Sequence, residues 1–227
     1  MFWDDYKKSA KYSRSHVWVK VRSLSETIPS LNPLHGHRIT DFGQGTLRRK
    51  MMDKPMSNLM FQGMCFVFML RDFFSQRETI LMETGIKPGD YVLDYGCGPG
   101  GYIAPASKLL GEAGRVYALD INPLAVKRVQ KIALKKQLAN VETICSDCKT
   151  GLHGNSLDVI LLYDIFHMLS NPDAVMVELH RTLKPEGTLS FSDHHMNEND
   201  IMEKIADGGL FLLSKKGKKT YSFFKRE

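Results

Sequence analysis

From about Pro88 to the end of the chain, short apolar runs alternate with longer stretches whose apolar positions recur at helical spacing. A parallel βαβ sheet produces this pattern, because strands buried on both faces lose the in–out alternation of a half-exposed strand. Tyr91 to Tyr95 is the first such run, entered through the turn Lys87-Pro88-Gly89-Asp90. A glycine-rich loop follows, then a helix through Leu109-Leu110 that ends near Gly111 and Gly114. Arg115 to Ile121 reads as the second strand. Asn122-Pro123 then supplies an N-cap followed by proline at the first helical position, with Ala125, Val129, Ile132 and Ala133 on one face behind it. Val141 to Cys145 and Leu157 to Tyr163 are the third and fourth strands. Asn171-Pro172 repeats the cap-then-proline signal, and Val175, Leu179 and Leu183 line the helix it opens. Lys184-Pro185-Glu186-Gly187 stops that helix, and Thr188 to Ser192 is the fifth strand. Leu210 to Ser214 and Thr220 to Phe224, joined around Lys216-Gly217-Lys218, form a hairpin, so the sheet ends on an antiparallel strand. Upstream, Met51 to Leu81 reads as helical and is rich in Met and Phe, while no periodicity stands out before Arg48.

With 227 residues and 43% hydrophobic composition, the chain is sized for one α/β domain and an appendage. The expected division is a basic N-terminal arm and Met/Phe-rich helical cap over residues 1–80, then an α/β domain over 81–227. The apolar run from Cys65 to Leu70 stops at Arg71, too short to span a bilayer. The start Met1-Phe2-Trp3-Asp4-Asp5 lacks the basic and apolar regions of a secretory signal, and four cysteines make no disulfide framework. A reducing, cytoplasmic location is therefore expected. Net charge is +6, and its placement changes the picture: residues 1–60 hold 11 Lys/Arg against 5 Asp/Glu, while residues 61–227 hold 20 of each. The excess belongs to the arm, which suits an acidic substrate, a nucleic acid or an anionic surface, or is simply solvated.

Gly96-Cys97-Gly98-Pro99-Gly100-Gly101 lies between a predicted strand and a predicted helix and satisfies G-x-G-x-x-G. Alone it indicates a nucleotide-like cofactor. Asp94, two residues before Gly96, narrows the choice. A carboxylate there opposes the pyrophosphate of NAD but favours the ammonium and sulfonium of S-adenosylmethionine. Asp120 ends the second strand twenty residues after Gly100, placed to accept ribose hydroxyls. Asp147 follows the third strand, within reach of an adenine amine, with the Cys148 backbone N–H facing the ring.

These segments, in order, resemble the motifs of class I S-adenosylmethionine-dependent methyltransferases: Val92-Leu93-Asp94-Tyr95-Gly96-Cys97-Gly98-Pro99-Gly100, Tyr117 to Asn122, Ser146-Asp147-Cys148, the Asp158 to Asp164 strand and Leu183 to Leu189. The resemblance covers roughly residues 80–227 and is closest to the group acting on small molecules and quinone-like compounds. It implies a Rossmann-like α/β fold: a seven-stranded, mostly parallel sheet with an antiparallel last strand and helices on both faces. It also implies a small-molecule methyl acceptor and S-adenosylhomocysteine as product. Asp94, Gly96 and Gly98 would line the methionine portion, Asp120 the ribose and Asp147 the adenine, with Tyr95, Gly100, Ile121, Cys148 and Tyr163 completing the cofactor site.

Methyl transfer is an in-line displacement that needs alignment, and a base only where the acceptor carries a proton. Candidates follow the fourth and fifth strands: Tyr163, Asp164 and His167, then His194 and His195. No metal is expected, because adjacent histidines of an extended chain point to opposite faces. Cys145-Ser146-Asp147-Cys148 lacks the second pair of a zinc or redox motif. The stretch from Met56 through Met60, Phe61, Met64, Phe66 and Phe68 to Phe74 is expected to wall the acceptor site. Two rival enzyme functions remain, beside a third reading as a non-catalytic cofactor-binding partner or scaffold. An RNA methyltransferase would use the basic arm, although Tyr163-Asp164-Ile165-Phe166 is not the Asn/Asp-Pro-Pro-aromatic motif of base-amine enzymes. An NAD-dependent oxidoreductase conflicts with Asp94.

Overall fold

The structure is a computed structural model describing residues 21–23, 57, 60, 63 and 77–227; most of the Met/Phe-rich stretch, with the cap expected there, lies outside the described residues. Among the described residues eight strands form one sheet: β1 (Val21–Ser23), β2 (Tyr91–Tyr95), β3 (Arg115–Asp120), β4 (Val141–Cys145), β5 (Leu157–Tyr163), β6 (Leu183–Ser192), β7 (Phe211–Lys216) and β8 (Tyr221–Lys225). Their order is β1-β4-β3-β2-β5-β6-β8-β7. β1 to β6 pair in parallel, and only β8, inserted between β6 and β7, runs against its neighbours. The seven expected strands are thus present, closed by the antiparallel last strand. β1 is an eighth, pairing its backbone with Thr143 to Cys145 at the sheet edge.

The helices fully within the described residues are α1 (Arg77–Glu83), α2 (Ile103–Leu110), α3 (Pro123–Lys136), α4 (Pro172–Thr182) and α5 (Glu198–Ile201), the last running into a π-turn over Met202–Ala206. Both proline starts are capped as expected: Asn122 Oδ1 accepts from the N–H of Leu124, and Asn171 Oδ1 from that of Ala174. α1 runs across residue 80 and buries Leu81 completely. α5 has no counterpart among the expected elements. Its signal is local: Asn197 and Asp200 form a reciprocal capping box, while Ile201 and Ile205 are buried one turn apart.

Strand residues alternate between two cores. Leu93, Tyr95, Ile160, Leu162 and Phe191 pack with Val175 and Leu179 of α4. Val92, Val116, Val159, Leu161 and Tyr163 pack with Ile103, Ala106 and Leu110 of α2 and Val129 and Ala133 of α3. Each fully buried Leu, Ile or Val contributes about 1.5–3 kcal/mol, so two-sided burial accounts for the apolar runs. β6 begins earlier than expected, directly out of α4. The pairing with β5 slips from Leu157↔Leu183 to Val159↔Thr188, so residues between Leu183 and Thr188 bulge. Pro185, with no N–H to donate, lies inside that bulge.

Strand order reverses at β2, since the chain goes on to β3 and β4 on one side and to β5 and β6 on the other. Ligands of open α/β sheets bind in the crevice at the carboxyl ends of the strands flanking such a point. Asp94, the glycine loop and the residues after β5 and β6 all lie at that end.

Candidate active site

The glycine loop is fastened from three sides. The N–H groups of Gly96 and Cys97 both donate to the Leu119 carbonyl, at 2.8 and 2.9 Å. The Gly98 N–H donates to Asp120 Oδ2 at 2.8 Å, and the Asn122 N–H to Asp120 Oδ1 at 2.7 Å. From the β5 side, Ile165 packs on Gly96, which holds φ 76°; a Cβ there would lie 2.8 Å from Ile165 Cγ1. Glycine is therefore required both by the backbone and by the neighbour.

Asp94 is only 4% exposed, and its Oδ2 has no hydrogen-bond partner. Burial raises its carboxyl from 3.8 to about 7; nearby Arg77 opposes that shift and Asp120 adds to it. Burial also raises the carboxyl of Asp120, against the lowering by the N–H groups of Asn122 and Gly98. An orphaned carboxylate oxygen in a buried crevice is costly unless a ligand supplies a donor or a positive charge. Two acids flank the loop, so a cation is favoured there over a pyrophosphate. An ammonium fits at Asp94 on this ground, and the bridging carboxylate of Asp120 keeps spare lone pairs for hydroxyl donors.

The loop after β4, expected to take an adenine, is arranged differently from expectation in one detail. Asp147 is exposed, and its carbonyl accepts the Tyr95 hydroxyl at 3.1 Å, tying the end of β2 to the loop after β4. The Cys148 N–H, expected to face a ring, points at Ser146 Oγ at 3.4 Å, closing a local turn that the Ser-x-x pattern favours. Ile121 receives Cys145 Sγ at its carbonyl, 3.9 Å away. Cys97, Cys145 and Cys148 are free, and burial raises all three thiols, which keeps them protonated and unreactive.

Beyond β5 the expected base candidates separate. Tyr163 belongs to the core: its hydroxyl pairs with Ser190 Oγ at 2.7 Å, its ring meets Tyr102 at 5.0 Å, and burial raises its phenol. Asp164 follows in a left-handed conformation, φ 54°, and its Oδ1 accepts from the backbone N–H of His194 and lies 2.9 Å from His194 Nδ1. His167 sits in a 3-10 turn, Phe166–Met168, with Nδ1 2.8 Å from Asp193 Oδ2. The expectation that His194 and His195 point apart fails. β6 ends at Ser192, the chain turns, and the two rings lie 3.9 Å apart, with His195 4.1 Å from His167. Opposite-face geometry holds only for extended backbone. Asp164, Asp193 and His194 bring donor atoms within 4.8 Å of one another; both carboxylates already lie against imidazole nitrogens and accept from backbone N–H groups.

A Rossmann-like sheet with a glycine loop under two acids defines a domain suited to hold a cationic group at the carboxyl ends of its strands. The methyltransferase-domain family matches residues 86–226, and the chain belongs to that family. A SAM dependent methyltransferase from Aquifex aeolicus superposes with a TM-score of 0.59 at 30% identity, covering 66% of this chain and 88% of that one. The ubiquinone/menaquinone biosynthesis C-methyltransferase UbiE of Teredinibacter turnerae is 30% identical over 126 residues, 55% of this chain and 51% of that protein. The UbiE of Shewanella pealeana is 31% identical over 127 residues, with the same coverage. The chain therefore spans about half the length of these curated relatives. Phosphoethanolamine N-methyltransferase 2 of Haemonchus contortus, solved in complex with S-adenosyl-L-methionine, shares the fold at TM-score 0.51 and 23% identity, over 60% of this chain and 36% of that one. Among the described residues no helix is long and apolar enough to cross a membrane.

Proposed function

We propose that this chain transfers a methyl group from S-adenosylmethionine to a small-molecule acceptor that gives up a proton, of the hydroquinone or phenol type. When bound, the cofactor supplies a methyl group already activated on a cationic sulfur. Asp94 receives the cofactor's ammonium on its orphaned oxygen, and Gly96, Gly98 and Gly100 let the backbone approach it closely. Tyr95 braces the pocket through Asp147, Asp120 and Ile121 face the ribose, and Asp147 and Cys148 border the adenine. The observation carrying this reading is the buried Asp94 beside the loop and Asp120. The polar wall of Asp164, His167, His194 and His195 borders the acceptor, whereas the Tyr163 hydroxyl is committed to Ser190. Three free cysteines among the described residues suit a cytoplasmic location.

The UbiE relatives, named for ubiquinone and menaquinone biosynthesis, support the choice of acceptor. The test is transfer of label from S-[methyl-³H]adenosylmethionine to 1,4-dihydroxynaphthalene, catechol and bulk RNA in parallel. Label on a hydroxyaromatic supports the reading. Label on RNA alone overturns it in favour of an RNA methyltransferase using the basic arm.

A further inference from the structure

We infer that His167 is the base that accepts the acceptor's proton and that Asp193 is the residue that positions it, an inference resting on the methyl transfer proposed above. Three imidazoles crowd the crevice, and their partners distinguish them. The Asp193 side chain is fully shielded from solvent and lies 2.8 Å from His167 Nδ1. Its Oδ2 also accepts the backbone N–H of His167 at 3.1 Å, and its Oδ1 the N–H of His195 at 3.0 Å. A carboxylate so surrounded by donors offers the ring only acceptor lone pairs, so His167 Nδ1 carries a hydrogen. Neutral His167 then has its lone pair on Nε2. Backbone and ring of the same residue are held by one carboxylate, which fixes the imidazole in place and in tautomer. Charge arriving on the ring meets a shielded counter-charge.

The other pair is built more loosely. His194 bonds Asp164, but its side chain is 61% exposed against 25% for His167, and the side chain of Asp164 is 26% exposed against 0% for Asp193. Water screens such a pair and lets the ring leave it. Position favours His167 as well. Phe166, buried against Phe191 at 5.6 Å, anchors the turn, and Ile165 packs on Gly96 of the cofactor loop. His167 is therefore two residues from the wall of the cofactor site.

In the step assigned to it, His167 Nε2 takes the hydroxyl proton of the acceptor. The electron pair released on the acceptor forms the new bond to the methyl carbon, and the electrons of the broken carbon–sulfur bond stay on sulfur. The imidazolium, held by Asp193, returns its proton to water. Where the new bond is to ring carbon, the ring C–H proton leaves to solvent and the aryloxide oxygen takes a proton back from water, which restores the aromatic hydroquinone with one proton released overall. Asp193, His194 and His195 all face His167.

The experiment uses the full chain, uniformly ¹⁵N-labelled at histidine and saturated with S-adenosylhomocysteine. Long-range ¹H–¹⁵N correlation is expected to show His167 with a protonated Nδ1 and an unprotonated Nε2, a preference lost in Asp193→Asn. With 1,4-dihydroxynaphthalene as probe, His167→Gln and Asp193→Asn are each expected to lower kcat about 100-fold, with KM changed little. The His167→Gln rate should recover as pH rises and the probe ionises unaided, which a merely structural defect would not do. Both variants are read only as preparations that still titrate with S-adenosylhomocysteine. An Nε2–H tautomer in the wild type overturns the inference, and so does undiminished turnover in His167→Gln; in either case methyl transfer itself stands. Wild type that binds S-adenosylhomocysteine yet labels no hydroxyaromatic overturns this inference and the function it rests on.

Discussion

Replacing Asp94 with Asn should stabilise the empty protein while removing its affinity for the cofactor. Burial, with Asp120 adding and Arg77 opposing, places the Asp94 carboxyl at about 7 rather than 3.8. A group raised in the folded state carries a penalty that grows as pH climbs from the unfolded to the folded value and then levels off. At 1.36 kcal/mol per unit, ionised Asp94 costs the empty fold on the order of 4 kcal/mol at pH 8 and about 1.5 kcal/mol at pH 5. The amide removes the charge but brings donors with no partner, a cost of about 2 kcal/mol. The net gain is then about 2 kcal/mol at pH 8 and close to zero at pH 5. For a chain of this size that corresponds to a Tm increase of roughly 4–8 °C at pH 8. Losing a buried carboxylate–ammonium pair should weaken S-adenosylhomocysteine binding by about 30-fold or more. Thermal melts of empty wild type and Asp94→Asn at both pH values, with calorimetric titration at pH 8, supply the data. A Tm gain independent of pH, or a variant that binds as tightly as wild type, would refute the reasoning. Retention of so costly an acid makes sense only if a cation answers it.

Other perturbations act on separate parts of the account. Asp120→Ala strips the acceptor from the N–H groups of Gly98 and Asn122 and should weaken S-adenosylhomocysteine binding at least tenfold by calorimetry, about 1.4 kcal/mol. Gly96→Ala forces a side chain into φ 76° and against Ile165, which should lower stability by about 1–3 kcal/mol in a urea titration. Tyr163→Phe leaves Ser190 Oγ without its buried partner, for a loss of about 1–3 kcal/mol in the same assay. Deleting residues 1–75 should leave S-adenosylhomocysteine affinity within about threefold while abolishing label transfer to 1,4-dihydroxynaphthalene; unchanged turnover would refute the acceptor wall.

Much of the domain was legible because the signals were local and redundant. Strands such as Leu157–Tyr163 are apolar but for Asp158, and proline-after-asparagine marks two helix starts that the Asn122 and Asn171 caps bear out. Asp94 and Asp120 could be placed because each sits at the end of a readable strand. Less came through where a residue's meaning depends on distant partners. The three-residue β1 is too short to carry a period, and what defines it is pairing with β4. Tyr163 was legible in principle: it shares parity with Val159 and Leu161 and therefore faces the core. His194 and His195 misled because the strand ends one residue before Asp193 and the chain turns. The partnership of Asp193 with His167 spans 26 residues, and no spacing rule reveals it.

The most direct test of the central claim is calorimetric titration of the full chain with S-adenosylhomocysteine and, separately, with NAD. Binding of one equivalent of S-adenosylhomocysteine, with no heat from NAD, is the predicted result. Binding of NAD with none of S-adenosylhomocysteine would contradict the reading of Asp94 and, with it, the assignment of methyl transfer.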